Sequence, residues 1–243
     1  MFQTYNRIAL ITGATDGIGK ETARQLASQG VRVILGARIP AKGYAVAQEF
    51  KRSGLDIEVV QLDVCDSQSI KSAAAEVSNS HGRIDILINN AGVALDRGLL
   101  SESSADVVAT TYETNVFGAL RVIQCFLPLL RKSAHGRIVN VSSSLASFAG
   151  MTDENSPYYD ILLPVYASSK AALNALTIHL ARELKDSGIK VNAVDPGLTA
   201  TRYVSAPDAQ PVAVGAEASV KYALIGDEGP SGKFFDRQGS YRW

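Results

Sequence analysis

The sequence predicts an α/β fold with a doubly wound parallel sheet of about seven strands, helices on both faces and three α/β/α layers. Three observations predict it. Short apolar runs of strand length recur along the chain, segments of helix length separate them, and a glycine-rich turn follows the first run. Strands joined through helices form right-handed crossovers, which place them parallel in one sheet. We find no repeat or linker, so residues 1–243 are expected to form a single domain.

The first unit of this pattern is a strand, a turn and a helix. Residues 7–12 (RIALIT) are a short apolar run, residues 13–19 (GATDGIG) form the turn, and residues 20–29 are predicted to be helical. Glycines allow the backbone to approach a pyrophosphate, whose charge is favoured by the positive end of the following helix. The spacing GxxxGxG differs from the GxGxxG fingerprint, so the match is limited to the general dinucleotide pattern of a glycine-rich turn between a strand and a helix. A Rossmann-like dinucleotide site is therefore predicted, with glycines that serve only a tight bend as the alternative.

The alternation continues to the end of the chain. Further strands are predicted at residues 31–36, 57–62, 85–89, 136–141, 190–195 and 232–235. Further helices are predicted at residues 41–52, 67–80, 101–132, 215–225 and in a segment that reaches about residue 186. Gly13, Arg38, Asp63 and Asn90 lie just beyond the ends of the first four strands. Because ligands bind at the carboxyl ends of parallel strands, these residues are expected at the binding edge.

Composition excludes several classes of protein. The 24 Lys and Arg residues balance the 24 Asp and Glu residues, so we expect neither nucleic acid nor a membrane as a partner. Residues 1–7 lack the apolar core of a signal peptide, which predicts a cytoplasmic protein. Cys65 and Cys125 lack CxxC spacing and the three histidines do not cluster. Neither a disulfide framework nor a metal site is expected.

Tyr166 and Lys170 are four residues apart, which is about one helical turn and places both side chains on one face of a helix. A nearby ammonium favours the phenolate and so lowers the pKa of a phenol towards working pH. Tyr166 is therefore a candidate proton donor or acceptor. A chance pair on a solvated helix face is the alternative.

These motifs, in this order, resemble those of the short-chain dehydrogenase/reductase family over nearly the whole chain. Residues 12–19 resemble its cofactor turn TGxxxGIG, residues 89–92 its NNAG motif, residues 166–170 its YxxxK motif, and residues 196–197 its PG element. The resemblance implies a catalytic tetrad of Asn115, Ser143, Tyr166 and Lys170. It also implies the family's α/β fold and a nicotinamide cofactor that carries hydride.

The resemblance assigns each member of the tetrad a role. Ser143 is expected to hydrogen-bond the substrate oxygen and Tyr166 to protonate it. Lys170 is expected to lower the pKa of Tyr166 and to hold the nicotinamide ribose. Asn115 is expected to bind a water that links Lys170 to solvent as a proton relay.

Two members of the tetrad have alternatives. Ser143 is chosen because the family's serine is the second of the pair that ends the fifth strand. Ser142 and Ser144 remain candidates, although backbone-capping hydroxyls are the simpler interpretation of both. For Asn115, the alternative is an amide that kinks or caps a helix.

The resemblance also implies a set of cofactor-binding residues along the binding edge. These residues are Gly13, Thr15, Asp16, Gly17, Ile18, Gly19, Arg38, Asp63, Val64, Asn90, Ala91, Gly92, Tyr166, Lys170, Pro196, Gly197, Thr199 and Thr201. Asp63 and Val64 resemble the pair that contacts adenine. Thr199 and Thr201 resemble the residues that hold the nicotinamide amide and the diphosphate.

NADP is the expected cofactor, with NAD as the weaker candidate. An acidic residue after the second strand would repel a 2′-phosphate, whereas this chain has Ala37 followed by Arg38, whose guanidinium suits phosphate. Asp16 weakens the prediction, because many NADP-preferring relatives carry a basic residue there. A surface arginine stacked on adenine is the alternative for Arg38.

The expected activity is the reversible reduction of a ketone or aldehyde to an alcohol with NADPH. Residues 151–163 lengthen the interval between Ser143 and Tyr166 to 23 positions, as in carbonyl reductase-type members. This insertion is expected at the substrate mouth, with an ordinary surface loop as the alternative.

Three other activities remain open: an NAD-linked alcohol dehydrogenase, a cofactor-binding regulator or scaffold without turnover, and an epimerase or dehydratase. The expected partner is a small carbonyl or alcohol substrate. The family resemblance implies a homo-oligomer, either a dimer or a tetramer, and the insertion leaves a monomer possible.

Overall fold

The computed structural model describes residues 7–202, 204 and 206–243. Residues 1–6, on which the signal-peptide prediction mainly rests, lie outside this range. The strands are β1 (Ile8–Thr12), β2 (Arg32–Ala37), β3 (Ile57–Gln61), β4 (Ile86–Asn89), β5 (Arg137–Val141), β6 (Lys190–Val194) and β7 (Phe234–Phe235). They form one sheet in the order β3-β2-β1-β4-β5-β6-β7, and every neighbouring pair is parallel. The predicted doubly wound sheet is confirmed.

Helices connect the strands and cover both faces of the sheet. They are α1 (Gly17–Ser28), α2 (Pro40–Arg52), α3 (Ser67–His81), α4 (Ala105–Tyr112), α5 (Ala119–Leu130), α6 (Phe148–Met151), α7 (Pro164–Glu183), α8 (Val212–Gly215) and α9 (Glu217–Ala223). Along β1, Leu10 belongs to one buried apolar cluster, whereas Ala9 and Ile11 belong to another. Successive side chains of a strand point to opposite faces, so each face has its own core. Burial on both faces explains why these strands are continuous apolar runs.

The structure differs from the sequence prediction over residues 101–132, where a continuous helix is expected. A π-helical turn, Glu113–Gly118, separates α4 from α5. It places the amide of Asn115 against the backbone of Val93, whose N–H and C=O both bond to that amide at 2.8 Å. These two hydrogen bonds satisfy both backbone polar groups of Val93 in a partly buried loop. Their contribution offsets the free-energy cost of the irregular helical turn.

Candidate active site

The glycine-rich turn and the loop after β4 are tied together at the carboxyl edge of the sheet. Thr12 Oγ1 accepts the N–H groups of Asn90 and Ala91, both at 3.1 Å. Asn90 Nδ2 donates to the carbonyl oxygens of Thr12 (3.0 Å) and Gly13 (3.1 Å). Gly13 has a φ of 62°, and a Cβ there would lie 2.9 Å from Ala91 Cα, so this close approach requires glycine.

The turn leads into the amino end of α1, which Asp16 caps. Asp16 Oδ1 accepts the N–H of Gly17 at 2.8 Å, and its other oxygen pairs with Arg202 Nε at 3.0 Å. The N–H groups of Ile18 and Gly19 fall in the first turn, where a helix has no internal partner for them. This arrangement directs free donors and the positive end of the helix dipole towards the binding edge.

The predicted tyrosine and lysine lie on α7, next to the end of β5. Lys170 Nζ donates to the carbonyl oxygen of Val141 at 2.7 Å and lies 5.8 Å from the centroid of the Tyr166 ring. The side chain of Ser143 lies near the phenol of Tyr166 and acts to lower its pKa, against the larger effect of burial. Lys170 is buried, whereas Tyr166 and Ser143 are half-buried. The fold thus brings three of the four tetrad candidates together at the carboxyl edge of the sheet.

Burial has the largest effect on the pKa values of Tyr166 and Lys170. It raises the pKa of Tyr166 to about 12, the nearby Asp195 raises it further, and the side chain of Ser143 partly offsets both effects. Burial also lowers the pKa of Lys170 to about 8. The structure therefore departs from the expectation that Lys170 brings the pKa of Tyr166 towards working pH. Moving a phenolate out of water has a large free-energy cost. A neighbouring cation that is itself easily deprotonated does not compensate for that cost.

Asn115, the fourth candidate, links the π-helical turn to both neighbouring elements. Besides its two bonds to Val93, its Nδ2 donates to Ser169 Oγ at 2.9 Å. A Cβ built on Gly92 would lie 3.2 Å from Lys170 Nζ and 3.3 Å from Asn115 Oδ1. Asn115 therefore lies beside Lys170 across Gly92. Because both amide donors are used, a water at this side chain would have to donate to Oδ1.

The three serines after β5 have different surroundings. Ser142 Oγ is buried and has no hydrogen-bond partner among the described residues. Ser144 is buried near Asp195: burial raises the pKa of that carboxyl, and the backbone and side chain of Ser144 partly offset this effect. Ser143 is the serine of the three that acts on the pKa of Tyr166. This difference favours Ser143 over its two neighbours.

The adenosine half of the predicted site lies at the ends of β2 and β3. Arg38 is exposed and has no hydrogen bond or ion pair within the described part of the chain. Asp63 Oδ1 accepts the N–H of Cys65 at 3.0 Å, and Val64 is buried against Gly118. These residues lie on the same sheet edge as the tetrad, on the other side of the glycine-rich turn.

The loop after β6 faces the glycine-rich turn from the opposite side. Thr201 lies near Gly17, where a Cβ would meet its Cγ2 at 3.4 Å. The buried hydroxyl of Thr199 donates to the carbonyl oxygens of Pro196 (3.3 Å) and Gly197 (3.0 Å). That donor is used within the loop, and the contact of Thr199 with the nicotinamide amide stays a prediction.

A cavity of about 250 Å³ opens at the carboxyl edge of the sheet, next to the end of β6. Its lining consists of Tyr158, Asp195, Pro196, Gly197, Leu198, Asp208, Gln210, Asp236, Arg237, Gln238 and Tyr241. Asp195, which lines the cavity, also acts electrostatically on the pKa of Tyr166. Tyr158 comes from the insertion at residues 151–163, whereas Tyr159 is exposed. One aromatic side chain of the insertion therefore contributes to the cavity wall.

Sequence reasoning missed two buried aspartates at this edge, Asp96 and Asp195. Asp195 could have been found, because a carboxylate that ends an apolar strand before Pro196 and Gly197 is unusual in a core. Asp96 has no local signal, because its partners are 69 and 70 residues away in the chain. Within the described residues, no cluster of His, Cys, Asp or Glu could hold a metal ion, and no helix is long and apolar enough to cross a membrane.

The fold and the site together define the class of nicotinamide-dependent oxidoreductases. Within it, the chain belongs to the short chain dehydrogenase family, whose model matches residues 7–211. The chain is 32% identical to (+)-neomenthol dehydrogenase of Arabidopsis thaliana, over 96% of each protein. It is 35% identical to a 3-oxoacyl-[acyl-carrier-protein] reductase of Staphylococcus aureus, over 78% of this chain and 73% of that one.

Solved structures agree with this assignment. The NADPH-bound carbonyl reductase from chicken fatty liver superposes with a TM-score of 0.86 at 27% identity, over 98% of this chain and 99% of that one. Salutaridine reductase from Papaver somniferum superposes with a TM-score of 0.83 at 29% identity, over 95% and 99% of the two chains. The predicted family membership is confirmed.

Proposed function

We propose that this protein reduces a ketone or an aldehyde to an alcohol, reversibly, with NADPH as the hydride donor. The observation that carries the proposal is that the fold brings the half-buried Ser143 and Tyr166 together beside the buried Lys170. A carbonyl that accepts hydride needs a donor to its oxygen and then a proton. Because the pKa of Tyr166 is about 12, its phenol holds that proton at neutral pH.

The residues present fit a dinucleotide. The free N–H groups at the start of α1 suit a pyrophosphate, and Gly92 leaves space next to Lys170 Nζ that a side chain would fill. Lys170 uses one of its three donors on Val141, so two remain for ribose hydroxyls. When bound, the nicotinamide supplies the hydride. The chain's own groups orient the substrate oxygen and hold the proton at Tyr166 Oη.

Two features favour NADP over NAD. Arg38 follows the buried Ala37 and is exposed without a partner among the described residues, so its guanidinium is available to a 2′-phosphate. Asp16, which by sequence argues against NADP, is paired with Arg202 at 3.0 Å. That pairing reduces the repulsion that Asp16 would exert on a phosphate. The NADPH-bound carbonyl reductase from chicken is a structural relative consistent with this choice.

The cavity supports a carbonyl substrate that carries other polar groups. Four of its lining residues are charged, namely Asp195, Asp208, Asp236 and Arg237.

The first test is a titration of the purified protein with NADPH and separately with NADH, followed by nicotinamide fluorescence. In Arg38→Ala, the Kd for NADPH should rise about 10-fold, towards the value for NADH, because a charge-assisted contact is lost. Arg52→Ala, which removes an exposed arginine at the end of α2, is the matched control and should change neither Kd. Equal or tighter binding of NADH by the wild type would contradict the choice of NADP and indicate an NAD-linked alcohol dehydrogenase.

A screen of ketones and aldehydes then measures NADPH consumption by absorbance. Carbonyl-dependent consumption with formation of the alcohol is the expected result. Cofactor binding without consumption would instead indicate a regulator or scaffold, and product formation with NADPH unchanged would indicate an epimerase or dehydratase. Sizing chromatography with light scattering tests the predicted homo-oligomer.

A further inference from the structure

The helix that carries Tyr166 begins without a cap of its own. Its first residue, Pro164, has no N–H, and the preceding Leu163 has a side chain that cannot accept a hydrogen bond. The N–H of Ala167 bonds to the carbonyl oxygen of Leu163 at 2.8 Å. Two backbone donors of the first turn are left, those of Val165 and Tyr166. Buried donors of this kind need an acceptor from elsewhere in the fold.

Asp96 supplies both acceptors from the loop that follows β4. Its Oδ2 accepts the N–H of Val165 at 2.8 Å, and its Oδ1 accepts the N–H of Tyr166 at 3.2 Å. The residue is 4% exposed. A carboxylate at this place also interacts favourably with the positive end of the helix dipole. The cap therefore bonds directly to the backbone of the residue that is proposed to donate the proton.

A second link holds the same turn. Ser169 Oγ donates to the carbonyl oxygen of Tyr166 at 2.7 Å and accepts from Asn115 Nδ2 at 2.9 Å. Asn115 in turn holds Val93, three residues before Asp96. Both backbone polar groups of Tyr166 are thus connected to elements packed beside α7. This frame sets where the phenol stands relative to the residues after β5.

We infer that Asp96 is a positioning residue that sets the place of the Tyr166 hydroxyl by capping α7 from the loop after β4. This inference rests on the proposed function, because it assigns Tyr166 as the proton donor. Asp96 does not touch the reacting atoms. Its removal should impair proton transfer and leave cofactor binding intact, since separate hydrogen bonds tie the glycine-rich turn to Asn90.

The test compares three variants at a temperature well below their unfolding midpoints. A misplacement of about 1 Å can lower a rate about 100-fold, so Asp96→Ala should lower kcat 10-fold to 100-fold. Its KM for the carbonyl and its Kd for NADPH should stay within about twofold of the wild type, because no binding contact changes. Asp96→Asn keeps one acceptor oxygen and should recover part of the lost kcat.

Asp85→Asn is the matched control. Asp85 is also a buried aspartate, 5% exposed, and it accepts the backbone N–H of Ile8 at 2.8 Å. It lies before β4, at the opposite end of the strand from Asp96. The control should unfold at a lower denaturant concentration and keep the wild-type kcat. Hydrogen exchange of the peptide that contains residues 164–170 should accelerate only in the two Asp96 variants.

Three outcomes would overturn the inference. They are a wild-type kcat in Asp96→Ala, a loss of NADPH binding that matches the loss of kcat, and an equal loss of kcat in Asp85→Asn. If the wild type reduces no carbonyl in the screen, the proposed function fails, and with it the catalytic consequence assigned to Asp96. The exchange rate at the start of α7 would still decide whether Asp96 caps that helix.

Discussion

Each edge of the sheet has a buried cation, Arg137 at the amino edge and Lys170 at the carboxyl edge, and the two differ in their number of hydrogen-bond acceptors. At the amino edge, Arg137 is fully buried and donates to Ile225 O (3.0 Å), Gly136 O (2.8 Å) and Asp227 (2.7 Å). At the carboxyl edge, Lys170 is 3% exposed, and in the described part of the chain its one acceptor is the carbonyl oxygen of Val141. The two side chains are buried to a similar extent, but Arg137 has three acceptors and Lys170 has one among the described residues.

This difference separates a structural charge from a reactive one. A buried cation with a carboxylate and carbonyl partners keeps its charge and stabilises the surrounding structure. A buried cation without a counterion has its pKa shifted, as burial does for Lys170, and keeps donors free for a ligand. Burial by itself therefore does not identify a functional site. The count of satisfied donors distinguishes Arg137 from Lys170.

The largest expected effect is at the carboxyl edge. Tyr166→Phe removes the proposed proton donor and should lower kcat about 10³-fold, which is about 4 kcal/mol in the activation barrier. NADPH binding should be retained and the free energy of unfolding should not fall, because a half-buried hydroxyl is replaced by hydrogen. Steady-state kinetics, nicotinamide fluorescence and urea unfolding measure these quantities.

Tyr222→Phe is the control for that substitution. Tyr222 is buried on α9, where its ring stacks on Phe235 at 4.0 Å between centroids. Its variant should keep the wild-type kcat. A Tyr166→Phe protein that turns over normally would mean that the carboxyl edge is not the reactive one.

The next effect is expected at the amino edge. Arg137→Met leaves Asp227 and two carbonyl oxygens without their donor, and should lower the free energy of unfolding by about 3 kcal/mol. The kcat/KM of the protein that remains folded should not change. Urea unfolding and kinetics on the same preparation provide both values, with the exposed Lys185→Met as the control. A loss of kcat/KM at constant stability would contradict the division between the edges.

The smallest effect concerns acid stability. Hydrogen bonds from His135 and Arg137 lower the pKa of Asp227 to about 2. A carboxyl group whose pKa is lower in the folded state stabilises the fold above its unfolded pKa of about 4, and this stabilisation is lost as the pH falls towards 2. Because more than half of the Asp227 side chain is exposed, screening limits its contribution to about 1 kcal/mol.

The measurement for Asp227 is urea unfolding of the wild type and Asp227→Asn between pH 7 and pH 2. The wild type should be more stable at neutral pH, and the two stabilities should converge below pH 4. A constant gap across this range would show that Asp227 acts through packing and not through its charge.

Local patterns predicted the fold because they depend on near neighbours in the chain. The run RIALIT followed by a glycine-rich turn specifies a buried strand that leads into a helix, and the same alternation repeats through β6. The positions of Gly13 and Asn90 at the ends of strands followed from that order alone. The interruption of residues 101–132 did not, because it arises from hydrogen bonds between Asn115 and a loop 22 residues away.

The sequence by itself determined the α/β alternation, the family motifs and the residue types available for chemistry. Only the tertiary structure decided which groups are paired and how they titrate. Asp96 caps Tyr166 across 70 residues, and burial outweighs the neighbouring ammonium of Lys170 in setting the pKa of the phenol. The physical reason is that periodicity and turn chemistry act over a few residues, whereas desolvation and capping by a distant side chain depend on what the whole fold brings together.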